Sequence, residues 1–164
     1  MSLAVSLFLA GLLSLSALHK VVARERMGAA AARLAWVNPA LGQPLLFAAA
    51  AVELLAAIAL LAPGLTAIGA LTATGLWLVY GLTLAGRHGQ SLDCGCDLFA
   101  REKPVDLFAV IRPLVLAVLA IWVALVPAAP FTPDAPFAAL GFLALWFAAG
   151  ELAVLPHLAR ISRR

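Results

Sequence analysis

Cys94 and Cys96 are the only cysteines in the chain, and a single glycine separates them. They lie in its most polar stretch, Arg87-His88-Gly89-Gln90-Ser91-Leu92-Asp93-Cys94-Gly95-Cys96-Asp97. Two thiols this close can close into a small-ring disulfide. Such a ring departs from relaxed disulfide geometry, and strain raises its reduction potential, the property of labile, exchanging pairs. A structural staple gains little from closing so short a loop. Exchange needs one sulfur to attack as a thiolate and a second to resolve the mixed disulfide. Arg87, His88, Arg101 and Lys103 favour a thiolate here, whereas Asp93 and Asp97 oppose it. As an alternative, the same sulfurs with Asp93, Asp97 or His88 offer part of the donor set for a soft metal, Cu(I), Zn(II) or Hg(II). One residue between ligands strains chelation, however, and two sulfurs do not complete a tetrahedron. The plainest alternative is a pair of inert small hydrophobes.

Glu53 is the sharpest charge inside an apolar segment. An ionised carboxylate at the centre of a membrane span costs about 2.5–3.5 kcal/mol on insertion scales. It must therefore face the bundle interior, pair with a cation or stay protonated, either as a proton-relay or gating group or as a packed, hydrogen-bonded charge. His19 and Lys20 are its candidate partners if the first two spans pack together. Arg112 and Glu151 fall at similar depths in the last two spans, where an ion pair offsets two insertion penalties. The alternative for Arg112 is to hold a thiolate of Cys94 or Cys96. His88 and His157 read as polar residues at membrane edges.

These groups must be positioned by elements that water does not solvate. Of 164 residues, 65% are hydrophobic and 12% charged, against about half and a quarter in globular chains. The mean hydropathy is +1.06. A soluble enzyme, a nucleic-acid binder and a secreted disulfide scaffold are excluded. At about 20 apolar residues per span, the chain divides into spans of about 3–23, 44–62, 65–86, 106–126 and 137–158. This predicts a single all-α integral membrane domain over 1–164, four core helices plus a fifth. Met27 to Val37 reads as a short amphipathic helix, and Pro63-Gly64 as a tight turn. Gly69, Ala73, Gly81 and Ala85 give small-residue spacing suited to close helix packing.

The charges sort cleanly along these spans. Lys20, Arg24, Arg26 and Arg33 follow the first; Arg87, Arg101 and Lys103 lie between the third and fourth, with Arg112 just inside; Arg160, Arg163 and Arg164 close the chain. The loops around Pro63-Gly64 and Pro127 to Pro136 contain no Lys or Arg. The positive-inside rule then predicts the N-terminus outside, the C-terminus cytoplasmic and both cysteines on the cytoplasmic side. A pI of 9.4 accordingly reads as topology, with lipid and not nucleic acid as the surrounding partner.

Cys94-Gly95-Cys96 after a third apolar span resembles the MauE group of the MauE/DoxX-like membrane proteins. That group carries Cys-Gly-Cys followed by an aromatic and glycine, then an Arg entering the next span. Here Asp97-Leu98-Phe99 displaces the aromatic and lacks the glycine, while Arg112 matches the Arg and is followed by Pro113. Gly11-Leu12-Leu13-Ser14 through Leu18-His19-Lys20 and Val52-Glu53-Leu54-Leu55 also fit, so the resemblance runs over roughly residues 5–125 and leaves the fifth span out. It implies an accessory role in methylamine utilisation at the inner (cytoplasmic) membrane. The implied task is maturation of the disulfide-rich small subunit of methylamine dehydrogenase, with a thioredoxin-like, MauD-like partner and Cys94 and Cys96 as the exchanging pair. The protein is then a thiol–disulfide oxidoreductase or a non-catalytic maturation factor. Because that dehydrogenase matures outside, the pair either exchanges with a cytoplasmic thiol donor and relays electrons, or its loop reaches into the membrane from below. No cofactor is predicted; a quinone between the spans or a soft metal stays open, as does a soft-metal-binding or small-solute transport protein as the alternative function.

Overall fold

The computed structural model describes residues 2–92, 103–127 and 130–161, with side chains described over 2–90, 105–127 and 130–153. Cys94, Cys96 and Asp93 lie outside the described residues. Six α-helices follow in order: α1 Ser2–Val22, α2 Arg24–Ala35, α3 Gly42–Leu61, α4 Thr66–Ala85, α5 Leu107–Leu125 and α6 Ala135–Ile161. Five of them, all but α2, are long and apolar enough to cross a membrane. The amphipathic segment after the first span is helical, but it begins earlier than the alanine run suggests, at Arg24. Beyond the helices, a two-residue antiparallel ladder pairs β1 Ser91–Leu92 with β2 Lys103–Pro104 in the register Ser91↔Pro104.

Small residues set how closely the helices approach. α3 and α4 form a hairpin through Pro63-Gly64, where Gly64 adopts φ +79°, a conformation that only a residue without Cβ takes at no cost. Gly69 then lies directly on the backbone of Leu60 and Ala59, so the two axes pack closer than side chains allow. At the other end of α3, Gly42 lies on the carbonyl of Gly28 in α2. Gly81 of α4 meets the side chain of Leu114 in α5. The continuous core draws on α1, α3, α4, α5 and α6, with Leu9, Leu13, Ala56, Leu60, Trp77 and Leu116 among its buried members. Large apolar side chains such as Leu55, Ile58, Ile68, Leu82 and Val118 point outward. In water such a surface is a liability; against lipid it is the expected one.

α5 starts on a defined cap. Asp106 is extended, and its carboxylate accepts the Ala109 N–H at 2.8 Å, satisfying one of the orphan donors of the first turn. Asp106→Ala is therefore expected to cost about 1 kcal/mol and Asp106→Asn much less, measured as the unfolding midpoint in detergent.

Candidate functional site

The polar centre of the described structure forms where α1, α3 and α4 meet. Ser16 and Lys20 are four residues apart on α1 and so share one face. Lys20 Nζ donates to both carboxylate oxygens of Glu53, at 2.7 Å to Oε1 and 3.0 Å to Oε2, and to Ser16 Oγ at 2.6 Å. Ser16 Oγ in turn donates to Glu53 Oε1 at 3.0 Å, and the Tyr80 hydroxyl of α4 donates to the same oxygen at 2.9 Å. The ammonium also lies 5.4 Å from the centre of the Tyr80 ring. Glu53 is 1% exposed and Lys20 8%. Burying either charge alone is prohibitive. Together, with two hydroxyls satisfying the carboxylate, they form a neutral unit that ties three helices at one point.

Of the two partners the sequence offers Glu53, the structure uses Lys20. His19, one residue earlier and on a different face, meets Arg26 of α2 at 3.3 Å. Tyr80 and Ser16 were not singled out by the sequence reading. Their signals were weak but present: Tyr80 is the lone tyrosine of the chain, inside an apolar span, and Ser16 precedes Lys20 by one turn.

Arg112 is 9% exposed and projects from α5 onto α6. Its guanidinium lies 4.8 Å from the Trp146 ring and 5.6 Å from the Phe108 ring, with an N–H 3.5 Å from the Trp146 carbonyl. Its guanidinium nitrogens lie 3.0 and 3.3 Å from where a Cβ on Gly150 would be, so the glycine makes room for the cation. The two residues predicted to meet, Arg112 and Glu151, thus come from helices in contact at this depth, with the described geometry centred on Trp146 and Gly150. Glu151 is half-buried.

The polar stretch carrying the cysteines is anchored at its root. Gly89 N–H donates to Val105 O and Val105 N–H to Gln90 O, both at 2.9 Å, and the β1–β2 ladder continues the pairing outward. Val105 packs with Leu84 and Ala109, fixing this root to the end of α4 and the start of α5. The two strands therefore hold residues 92 and 103 side by side, as the flanks of the segment that carries Cys94 and Cys96. His88 is exposed in the turn after α4. Arg87 stacks on Trp36 with its guanidinium carbon 4.1 Å from the ring centre, donates to Gln90 Oε1 at 3.1 Å and reaches the carbonyl of Arg33 in α2. Trp36 itself takes the left-handed conformation, φ 55°, that ends α2, and its indole lies against Gly86. Among the described residues, no three His, Cys, Asp or Glu side chains gather as metal ligands.

A cavity of about 490 Å³ lies between α2, α3 and α4, with Lys20 and Tyr80 in its wall.

The family model described as methylamine utilisation protein MauE matches residues 1–126, which hold α1 to α5 and the whole Ser16–Lys20–Glu53–Tyr80 cluster. The chain is 31% identical over 126 residues to the methylamine utilization protein MauE of Methylophilus methylotrophus, a match covering 74% of this chain and 66% of that protein. It thus spans just under two thirds of the relative's length. No solved structure matches. A family match over most of the chain, on a chain with five helices of spanning length, places this multi-pass membrane protein in the MauE family.

Proposed function

We propose that this protein is a thiol–disulfide redox accessory of methylamine utilisation in the cytoplasmic membrane, with Cys94 and Cys96 as its exchanging pair. One observation carries the reading: the only two cysteines, one glycine apart, belong to a polar segment whose flanks are paired and fixed between α4 and α5. Flanks fixed in this way tie both ends of the segment to α4 and α5. The membership of the MauE family supports the pathway, and the name of the Methylophilus methylotrophus relative supports it again.

The chemistry is a two-step exchange. One thiolate attacks a disulfide of a thioredoxin-like partner, forming a mixed disulfide and releasing one partner thiolate. The second cysteine displaces the other, so the pair becomes a disulfide and the partner a dithiol; two electrons move and no other reactant is consumed. Run in reverse, the same steps reduce the pair. The downstream protein is the small subunit of methylamine dehydrogenase. The distribution of all Lys and Arg to one end of the spans supports a cytoplasmic position for that end.

Trapping with a maleimide-polyethylene glycol in intact membranes tests this directly. Both thiols are expected to be labelled after reduction and neither after mild oxidation. Cys94→Ser and Cys96→Ser variants are each expected to lose exchange, and one of them to accumulate a mixed disulfide with the partner. A pair that never interconverts, or serine variants that support full maturation of the dehydrogenase, would remove the proposal.

A further inference from the structure

The cavity between α2, α3 and α4 has the volume of sites that hold small organic molecules, which run about 300–1,000 Å³. It exists because α2 packs on α3 but barely meets α4. Its walls are hydrocarbon, with Met27, Ala31, Leu46, Ala49, Gly75 and Val79 typical of them. Two hydroxyls on the wall are turned inward to their own helix: Thr72 donates to Ile68 O and Thr83 to Val79 O. The lining of α4 extends from Leu71 to Leu84, about 20 Å along the helix at 1.5 Å per residue. Leu71 is 59% and Val79 57% exposed, so the long side opens laterally, toward lipid. The shape suits an elongated apolar molecule entering from the bilayer.

Only around Lys20 and Tyr80 does this wall carry functional polar groups not bonded to their own helix backbone. Two features of that spot select the head of the ligand. First, it is electrically neutral: every N–H of Lys20 is engaged, two by Glu53 and one by Ser16. An anionic head would have to take Lys20 from Glu53. A neutral carbonyl needs only the N–H now on Ser16, whose own O–H stays on Glu53. That exchange trades one neutral acceptor for another. Second, Tyr80 lies five residues before the end of α4, about 8 Å inside the span, deeper than a lipid phosphate sits.

We infer that this cavity binds an isoprenoid quinone, its ring at Lys20 and Tyr80 and its chain along the α4 wall from Val79 to Leu71. The choice of a redox-active ring rests on the thiol–disulfide function proposed above. Oxidation of a dithiol breaks two S–H bonds, forms one S–S bond and releases two electrons and two protons. A quinone takes up all four as the two O–H bonds of a quinol, so the pair and the quinone balance without a further reactant.

The test uses the full chain in phosphatidylcholine nanodiscs and decyl-ubiquinone as the probe, followed by calorimetric titration. A Cβ on Gly75 meets nothing within 4 Å, and the residue lines the cavity, so Gly75→Phe fills the site without moving the backbone. Gly141 of α6 is equally unobstructed and lies away from the cavity, which makes Gly141→Phe the control. Saturable binding is expected, weakened about ten-fold or more by Gly75→Phe, in the same direction by the smaller Gly75→Leu, and unchanged by Gly141→Phe. No saturable binding, equal binding by the Gly75 variants, or displacement by dodecanoate as effective as by quinone itself would overturn the inference, the last by revealing an acyl-chain site. Thiol trapping on the same samples separates the two proposals. Exchange-active cysteines without quinone binding overturn the cavity's ligand and leave the exchange function; bound quinone beside cysteines that never interconvert does the reverse.

Discussion

Glu53→Ala is expected to destabilise the bundle by about 3–5 kcal/mol, the range for removing one partner of a buried ion pair. The substitution leaves the Lys20 ammonium buried with no carboxylate, beside the Ser16 hydroxyl and the Tyr80 ring, and it removes the Glu53 acceptor of both the Tyr80 and Ser16 hydroxyls. The loss is then dominated by uncompensated polar groups rather than by the attraction itself. That distinction is measurable. Glu53→Gln keeps a carbonyl for the hydroxyls and is expected to fall between Ala and wild type. The double variant Lys20→Met, Glu53→Leu removes both charges and restores apolar packing, and it is expected to recover most of the stability lost by Glu53→Ala. Unfolding midpoints in detergent give the order. A single Ala variant no less stable than the double would mean that the pair does not hold α1, α3 and α4 together.

Gly69→Val is expected to cost about 1–3 kcal/mol or more, the penalty of overpacking where nothing nearby can yield. The added atoms meet the backbone of Leu60, with the Ala59 carbonyl carbon at 2.8 Å and the Ala56 carbonyl oxygen at 2.9 Å. Backbone cannot rotate away as a side-chain end does, so the α3–α4 hairpin must spread. Because Glu53 is on α3 and Tyr80 on α4, the same spreading is expected to weaken the hydrogen bond that joins them. Gly75→Ala, on the same helix but facing open space, is the counterpart: it is expected to be neutral or to stabilise by about 0.5–1 kcal/mol through helix propensity alone. Equal effects at the two positions would show that the hairpin is not packed through Gly69.

The five spanning helices were legible because composition dictates them: apolar runs of spanning length, broken at Pro63-Gly64 and by the polar stretch after α4, leave little choice. Glu53 was legible as a group needing a partner, and Lys20 as one of two candidates, because an intramembrane carboxylate has few affordable states. Which of His19 and Lys20 would reach it was not, since adjacent residues point about 100° apart on a helix and only packing fixes the rotation. Tyr80 and Ser16 were missed for the same reason. The β1–β2 ladder is too short for a period-two pattern to register. Trp36 on Arg87 joins residues far apart in sequence through a left-handed turn that no motif marks. Arg112 was expected on Glu151 by depth, and depth was informative: it contacts α6 at the neighbouring Gly150, between two aromatic rings that attract a cation.

The stacking of Trp36 on Arg87 has a mechanical consequence. α2 continues from α1 through Ala23 at one end and is bolted at the other to the first residue beyond the α4 cap, so it is a strut braced at both ends. Any protein that levers the hairpin root outward must first pry an indole off Gly86, and sideways pressure from the bilayer on α2 bears on that same joint.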